Sequence, residues 1–201
     1  MKTHTSDRRA LFASRALILA ALVAVAALTA HAQTGSPTPE KKALELKQKE
    51  LELKKKEIDL QKQQLQIDAA KKELQAKETE KNITINLQGD VAFDSGKSAL
   101  RSEGEKSLEK VAVVISQFPE SKVLITGYTD NKGGAKSNLR LSERRAVAVK
   151  GWLVKHGVSA ASITTKGMGE ENPVALNQNA DGTDNPDGRQ QNRRVEITVQ
   201  K

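Results

Sequence analysis

The chain has 201 residues, no cysteine, 2% aromatic residues and a formal net charge of +8. The absence of thiols excludes disulfides, thiol catalysis, cysteine metal sites and a lipidated cysteine anchor. The scarcity of aromatic rings leaves little for stacking on bases and, with the export signal described next, argues against a nucleic-acid partner.

Residues 1–32 read as a secretory signal peptide. Lys2, Arg8, Arg9 and Arg15 form a basic start, Ala16 to Ala30 is apolar, and Ala30-His31-Ala32 fits the small-x-small cleavage rule. Gln33 is then the new N-terminus. The apolar run is shorter than the roughly twenty residues a spanning helix needs; an uncleaved anchor is the rival reading. Arg8-Arg9 hints at twin-arginine export, although paired arginines are ordinary in any basic leader. Removing the leader's four basic residues and Asp7 from the totals of 33 and 25 leaves +5, spread without a dense basic block.

Residues 33–39 form a polar, proline-containing linker. Residues 40–81 contain no proline or glycine and are rich in Lys, Glu, Gln, Leu and Ala, all strong helix formers. The composition predicts one helix about 60 Å long. Apolar residues recur every seven positions, at Leu44, Leu51, Ile58 and Leu65 and at Leu46, Leu53, Leu60, Ile67 and Leu74. The two lines are two residues apart, so they point about 200° apart and neither is a proper coiled-coil stripe. Such a helix suits a bundle with another copy or with an envelope protein. It equally suits a solvated spacer held by pairs such as Glu45–Lys49 and Glu52–Lys56, each contributing a few tenths of a kcal/mol.

Residues 82–201 read as one domain. Ile83, Ile85 and Leu87 alternate as in a strand; Gly89-Asp90 bulges or turns it, and Val91-Ala92-Phe93 continues it. Ser98 to Phe118 is helical, with Gly104, Leu108, Val111, Ile115 and Phe118 on one face, and Pro119 ends it. A strand near Lys122 to Tyr128 leads to Asp130. A second helix runs from about Asn138 to His156, with Gly157 as C-cap. Ile163 to Lys166 is a short strand, a long polar loop follows, and Val195, Ile197 and Val199 alternate in the last strand. The order strand-helix-strand-helix-strand-strand with two right-handed crossovers predicts an α+β fold, helices on one face of a mixed sheet, preceded by the long helix.

The second helix singles out Arg145. Leu141, Ala148 and Trp152 form one apolar line and Arg145 falls inside it, whereas Arg144 falls on the polar side. An arginine there must keep its head hydrated, meet a carboxylate or bind a ligand, because an unpaired buried charge is expensive. Asp130 stands fifteen residues earlier, at a strand exit. Alone it reads as a turn or cap aspartate. Together the two make a cleft with one fixed negative and one fixed positive group, suited to a zwitterion.

Gly127-Tyr128-Thr129-Asp130, Asn138, Leu141 to Ala146, Gly167 to Glu170 and Asn192 to Glu196 occur in the order of an OmpA-like C-terminal domain, which this chain resembles from about Ile83 to Lys201. Phe93-Asp94-Ser95 is similar to that family's opening block. The resemblance implies non-covalent binding of peptidoglycan in the periplasm, at the cell wall or outer membrane, through the diaminopimelate of the stem peptide. It implies that Asp130 takes the ligand ammonium and Arg145 a carboxylate, with supporting contacts from Thr129, Asn138 and Arg193. The sequence departs from the family's usual pattern at Tyr128, commonly histidine, at Gly96, where some relatives carry an amide, and in the long loop Pro173 to Asn192.

Enzyme chemistry finds no support in the sequence. His4 and His31 lie in the leader, and His156 near a helix end is suited to the helix dipole. Asp181, Asp184 and Asp187 are spaced by three, wrong for the alternate-residue pattern of a calcium loop. No metal or cofactor is expected.

Overall fold

The structure, a computed structural model, describes residues 38–201. The stretch expected to be a leader, residues 1–32, and all but the end of the expected linker lie outside the described residues. The described residues fall into two units, divided between Lys55 and Lys56.

Helix α1 (Pro39–Glu73) begins in the first unit, where Leu44, Leu46, Leu51 and Leu53 are all exposed. Within the second unit the two apolar lines part company. Ile58, Leu60 and Leu65 remain exposed, while Ile67 is buried and Leu74 packs against the core beside Ala70. The helix stops at Glu73, short of the Lys81 expected from composition. Gln75 takes a left-handed φ of 49°, and the Gln75 and Ala76 amides donate back to the Lys72 and Lys71 carbonyls. That is a Schellman cap, usually built on glycine, so nothing in the composition announced it. Among the described residues no helix is long and apolar enough to cross a membrane.

The sheet has the order β1-β2-β5-β3-β4, with β1 at Lys77–Glu78, β2 at Asn82–Gln88, β3 at Lys122–Gly127, β4 at Ile163–Gly167 and β5 at Arg194–Gln200. β5 runs antiparallel to both neighbours, and β3 pairs with β4 in parallel. The registers stack apolar residues across the sheet: Ile83, Val199 and Val123 in one row, Ile85, Ile197 and Ile125 in the next. All six are buried. Helix α3 (Ser102–Ser116) and helix α4 (Ala135–Lys155) complete this core through Leu108, Val111, Val114, Val149 and Leu153, so the α+β architecture is as expected.

One segment differs. Val91-Ala92-Phe93 does not prolong the strand. Gly89–Ala92 is a single helical turn, α2, because the Gly89 amide turns to donate to the Arg193 carbonyl at 2.7 Å. A Cβ on Gly89 would lie 2.8 Å from that oxygen. Phe93 then pairs with Leu100 only as an isolated bridge.

Candidate functional site

The candidate residues gather where β2 and β3 end and β5 begins. The chain leaving β3 stays tied to both neighbours, since the Tyr128 amide donates to the Arg194 carbonyl at 2.9 Å and the Thr129 amide to the Gly169 carbonyl at 2.7 Å. Helix α4 can approach this edge because Gly127 has no side chain; a Cβ there would sit 2.2 Å from the Ser142 carbonyl oxygen. The Ser142 hydroxyl accepts from the Gly169 amide at 2.9 Å and fixes the turn after β4 to α4.

Asp130 is buried within this frame. Its Oδ1 accepts from the Lys132 amide at 3.2 Å, and its Oδ2 accepts from Arg193 Nη1 at 2.6 Å. Asn138 Nδ2 donates to the Asp130 carbonyl at 3.3 Å and to Glu170 Oε2 at 2.9 Å. Arg193 extends the network to a carboxylate that the sequence did not single out for a role. Its Nε and Nη2 donate to the two oxygens of Asp90 at 2.8 and 2.6 Å. This fork holds the Asp90 carboxyl below the usual carboxylate range. The same bonds push the Arg193 guanidinium above its ordinary value, with burial opposing and Asp130 adding.

Arg145 is 2% exposed, yet no carboxylate lies within ion-pairing distance of it among the described residues. Backbone holds it instead. Nε donates to the Lys97 carbonyl at 3.0 Å and Nη2 to the Asp94 carbonyl at 3.4 Å, both in the turn that the Lys97 amide closes onto Asp94. Gly96, at φ 68°, supplies the left-handed residue of that turn. These bonds use the Nε–Nη2 edge of the guanidinium, and Nη1 has no partner among the described residues. Burial pushes the Arg145 guanidinium down from its ordinary value, Asp90 and then Asp130 oppose that shift, and Arg193 adds to it. Asp130 and Arg145 therefore belong to one electrostatic cluster without a direct bond.

Thr129 contributes a buried hydroxyl that has no partner among the described residues. Arg189 was not foreseen. It lies on helix α5 (Pro186–Asn192), inside the stretch expected to be loop, and is itself buried. Its Nε lies 3.7 Å from Asp130 Oδ2, and its Nη1 bonds Asp184. The signal for α5 was present: Asn185 caps it by accepting from the Gly188 amide, and Pro186 fills its first turn. Asn192 pins the preceding loop by accepting from the Val174 and Ala175 amides.

Two other features fall outside the site. His156 stacks on Trp152 with ring centres 3.6 Å apart, and its Nδ1 lies 2.7 Å from the Trp152 carbonyl. A cavity of about 410 Å³ lined by Phe118, Ser121, Lys122 and Lys201 opens at the far end of the sheet, at the start of β3 and the end of β5. No grouping of acidic and histidine residues suited to a metal occurs among the described residues.

A sheet with helices on one face and this buried acid–arginine cluster at its end define a protein class. Residues 92–193 match the OmpA family model, and the chain belongs to the OmpA family. It is 42% identical over 118 residues to the probable lipoprotein YiaD of Escherichia coli, covering 59% of this chain and 51% of that one. It is 40% identical over 111 residues to the peptidoglycan-binding protein ArfA of Mycobacterium tuberculosis, covering 55% and 32%. The chain thus spans about half or less of these relatives. Among solved structures, the cell wall anchor of the T6SS from Pseudomonas aeruginosa aligns with a TM-score of 0.57 and 29% identity, over 67% of this chain and 94% of that one.

Proposed function

We propose that the domain binds peptidoglycan non-covalently and anchors the chain to the cell wall, with no enzymatic step. The ligand group is the diaminopimelate of the stem peptide. Its ammonium meets Asp130, and its carboxylate meets the outer, Nη1 side of Arg145; Thr129, Asn138 and Arg193 line or brace the same site. Family membership and the likeness to a cell-wall anchor and to a peptidoglycan-binding protein support the general reading. The observation that carries the ligand assignment is Arg145: a buried guanidinium held along one edge by two carbonyls and unpartnered along the other. A planar fork of this kind suits a carboxylate, and charge-assisted bonds are about twice as strong as neutral ones.

The reading places the mature chain in the periplasm, associated with the cell wall or outer membrane, with residues 1–32 as an export leader and the helical segment as a spacer. Co-sedimentation with isolated sacculi tests it. Binding to diaminopimelate-type sacculi, competed by free meso-diaminopimelate and absent with lysine-type sacculi, is expected. Sacculus binding that free diaminopimelate leaves untouched would remove the ligand assignment and keep the wall anchor.

A second reading, assembly through the helix, is favoured by the exposure of Leu44, Leu51, Ile58 and Leu65 at a strict sevenfold period. Sedimentation equilibrium of the chain with and without residues 40–66 tests it, since an unchanged number of chains per particle rules assembly through the helix out.

A further inference from the structure

The site contains a second carboxylate with no assigned task. Asp90 faces Arg193 squarely, two oxygens against two nitrogens at 2.8 and 2.6 Å, while Asp130 receives one bond from the same guanidinium. Arg193 is shared between two acids, and two of its three bonds go to Asp90. Two-pronged guanidinium–carboxylate pairing is the preferred geometry. Without a competing anion, Arg193 would gain by turning its fork onto Asp130, which already has Arg189 Nε 3.7 Å from the same oxygen. Asp130 would then be closed on both sides by guanidinium groups, and an arriving ammonium would have to displace one of them.

We propose that Asp90 is a positioning residue of the binding site: by engaging Arg193 through two bonds it keeps that guanidinium from closing on Asp130, and so leaves Asp130 charge available to an ammonium group. This rests on the reading that the site takes a diaminopimelate-type zwitterion, and it adds a residue that touches no ligand. Two local features serve this arrangement. The helical turn Gly89–Ala92 directs Asp90 towards Arg193, and it exists because Gly89 lets the backbones of residues 89 and 193 approach to hydrogen-bond distance. Asp90 is also the foremost of the charges that oppose the effect of burial on Arg145.

The test is a cycle on the full chain, with meso-diaminopimelate titrated calorimetrically and diaminopimelate-type sacculi used for co-sedimentation. Asp90→Asn removes the competing anion and keeps the shape; binding should fall about tenfold or more, the scale of one charged contact. Arg193→Gln added to Asp90→Asn should bind better than Asp90→Asn alone, because the group that closes on Asp130 has gone, and should stay below the unaltered chain by the contribution of Arg193 itself. Asp90→Asn binding like the unaltered chain overturns the proposal, as does a double variant no better than Asp90→Asn alone. Asp90→Ser serves as a second charge-removing variant, and loss of the fold in both, read by circular dichroism, would make Asp90 a structural residue and overturn its positioning role. If the unaltered chain binds sacculi but not the free amino acid, the ligand assignment falls and this positioning role falls with it, while the wall anchor stands. If it binds neither, the site reading itself fails and takes this assignment with it.

Discussion

The Arg145 guanidinium stands 5.1 Å from the centre of the Phe93 ring, in the range where a ring face attracts a cation. Ring contact on one side and two carbonyls along one edge replace the water that a buried guanidinium loses. The group is fixed before any ligand arrives, so little side-chain entropy remains to be lost on binding.

Arg145 and Arg144 should therefore behave very differently. Arg144 is exposed on the polar side of α4, while Arg145 is 2% exposed. Arg145→Ala should weaken co-sedimentation with diaminopimelate-type sacculi tenfold or more, a loss of about 1.5–3 kcal/mol for one charged contact. Arg145→Lys should not restore it, because a point charge can serve neither the two carbonyls nor a two-pronged carboxylate. Arg144→Ala should leave binding unchanged. Equal losses for Arg144→Ala and Arg145→Ala would refute the division of roles between the two faces of α4.

Gly127 and Gly151 differ in the same measurable way. A Cβ on Gly127 would strike the Ser142 carbonyl at 2.2 Å, and both partners are backbone-fixed elements of the site. Gly127→Ala should cost about 1–3 kcal/mol, the range for overpacking. Gly151 lies exposed in α4 and faces open space where a methyl group would stand, so Gly151→Ala should stabilise by up to about 1 kcal/mol through helix propensity. Urea denaturation midpoints of the two variants should move in opposite directions from that of the unaltered chain.

Acid should weaken the fold through Asp90 and Glu78. Arg193 holds the Asp90 carboxyl below its ordinary value, and Lys201 does the same for Glu78. A carboxyl depressed in the fold binds its proton less readily than the same group in the unfolded chain. Stability from these pairs is therefore fully present above the ordinary carboxyl range of about pH 4 and is lost as pH falls below it. Urea midpoints at pH 7, 4 and 3 should fall in that order. The gap between the unaltered chain and Asp90→Asn should shrink along the same series; a gap independent of pH would sever the link to Asp90.

The strands were legible in the sequence because one face of the sheet is buried. Alternation at Ile83, Ile85 and Leu87 and at Val195, Ile197 and Val199 marks that face residue by residue. Arg145 was legible because it interrupts an apolar line on α4. Asp90 was not, since its partner lies 103 residues away and no local pattern links Gly89-Asp90 to Arg193. Helix α5 was missed for a different reason. Its seven residues, Pro186 to Asn192, contain no large apolar side chain, so periodicity was silent and only the cap dipeptide Asn185-Pro186 marked it. The left-handed turn at Gln75 shows a third limit: a helix rich in strong formers can still end where the following residues gain more from pairing with β2.

That end point changes what the second apolar line of α1 is worth. Ile67 is 3% exposed and Leu60, one period earlier on the same line, is 66% exposed. Ile67→Ala removes buried methyl groups and leaves a cavity, so it should cost about 2–5 kcal/mol. On a domain of this size that lowers the melting temperature by about 2–4 °C for each kcal/mol. Leu60→Ala removes only exposed surface and should stay within about 0.5 kcal/mol of the unaltered chain. Thermal melts followed by the helical circular dichroism signal separate the cases. Equal effects from the two substitutions would mean that Ile67 is not part of the folded unit that begins at Lys56.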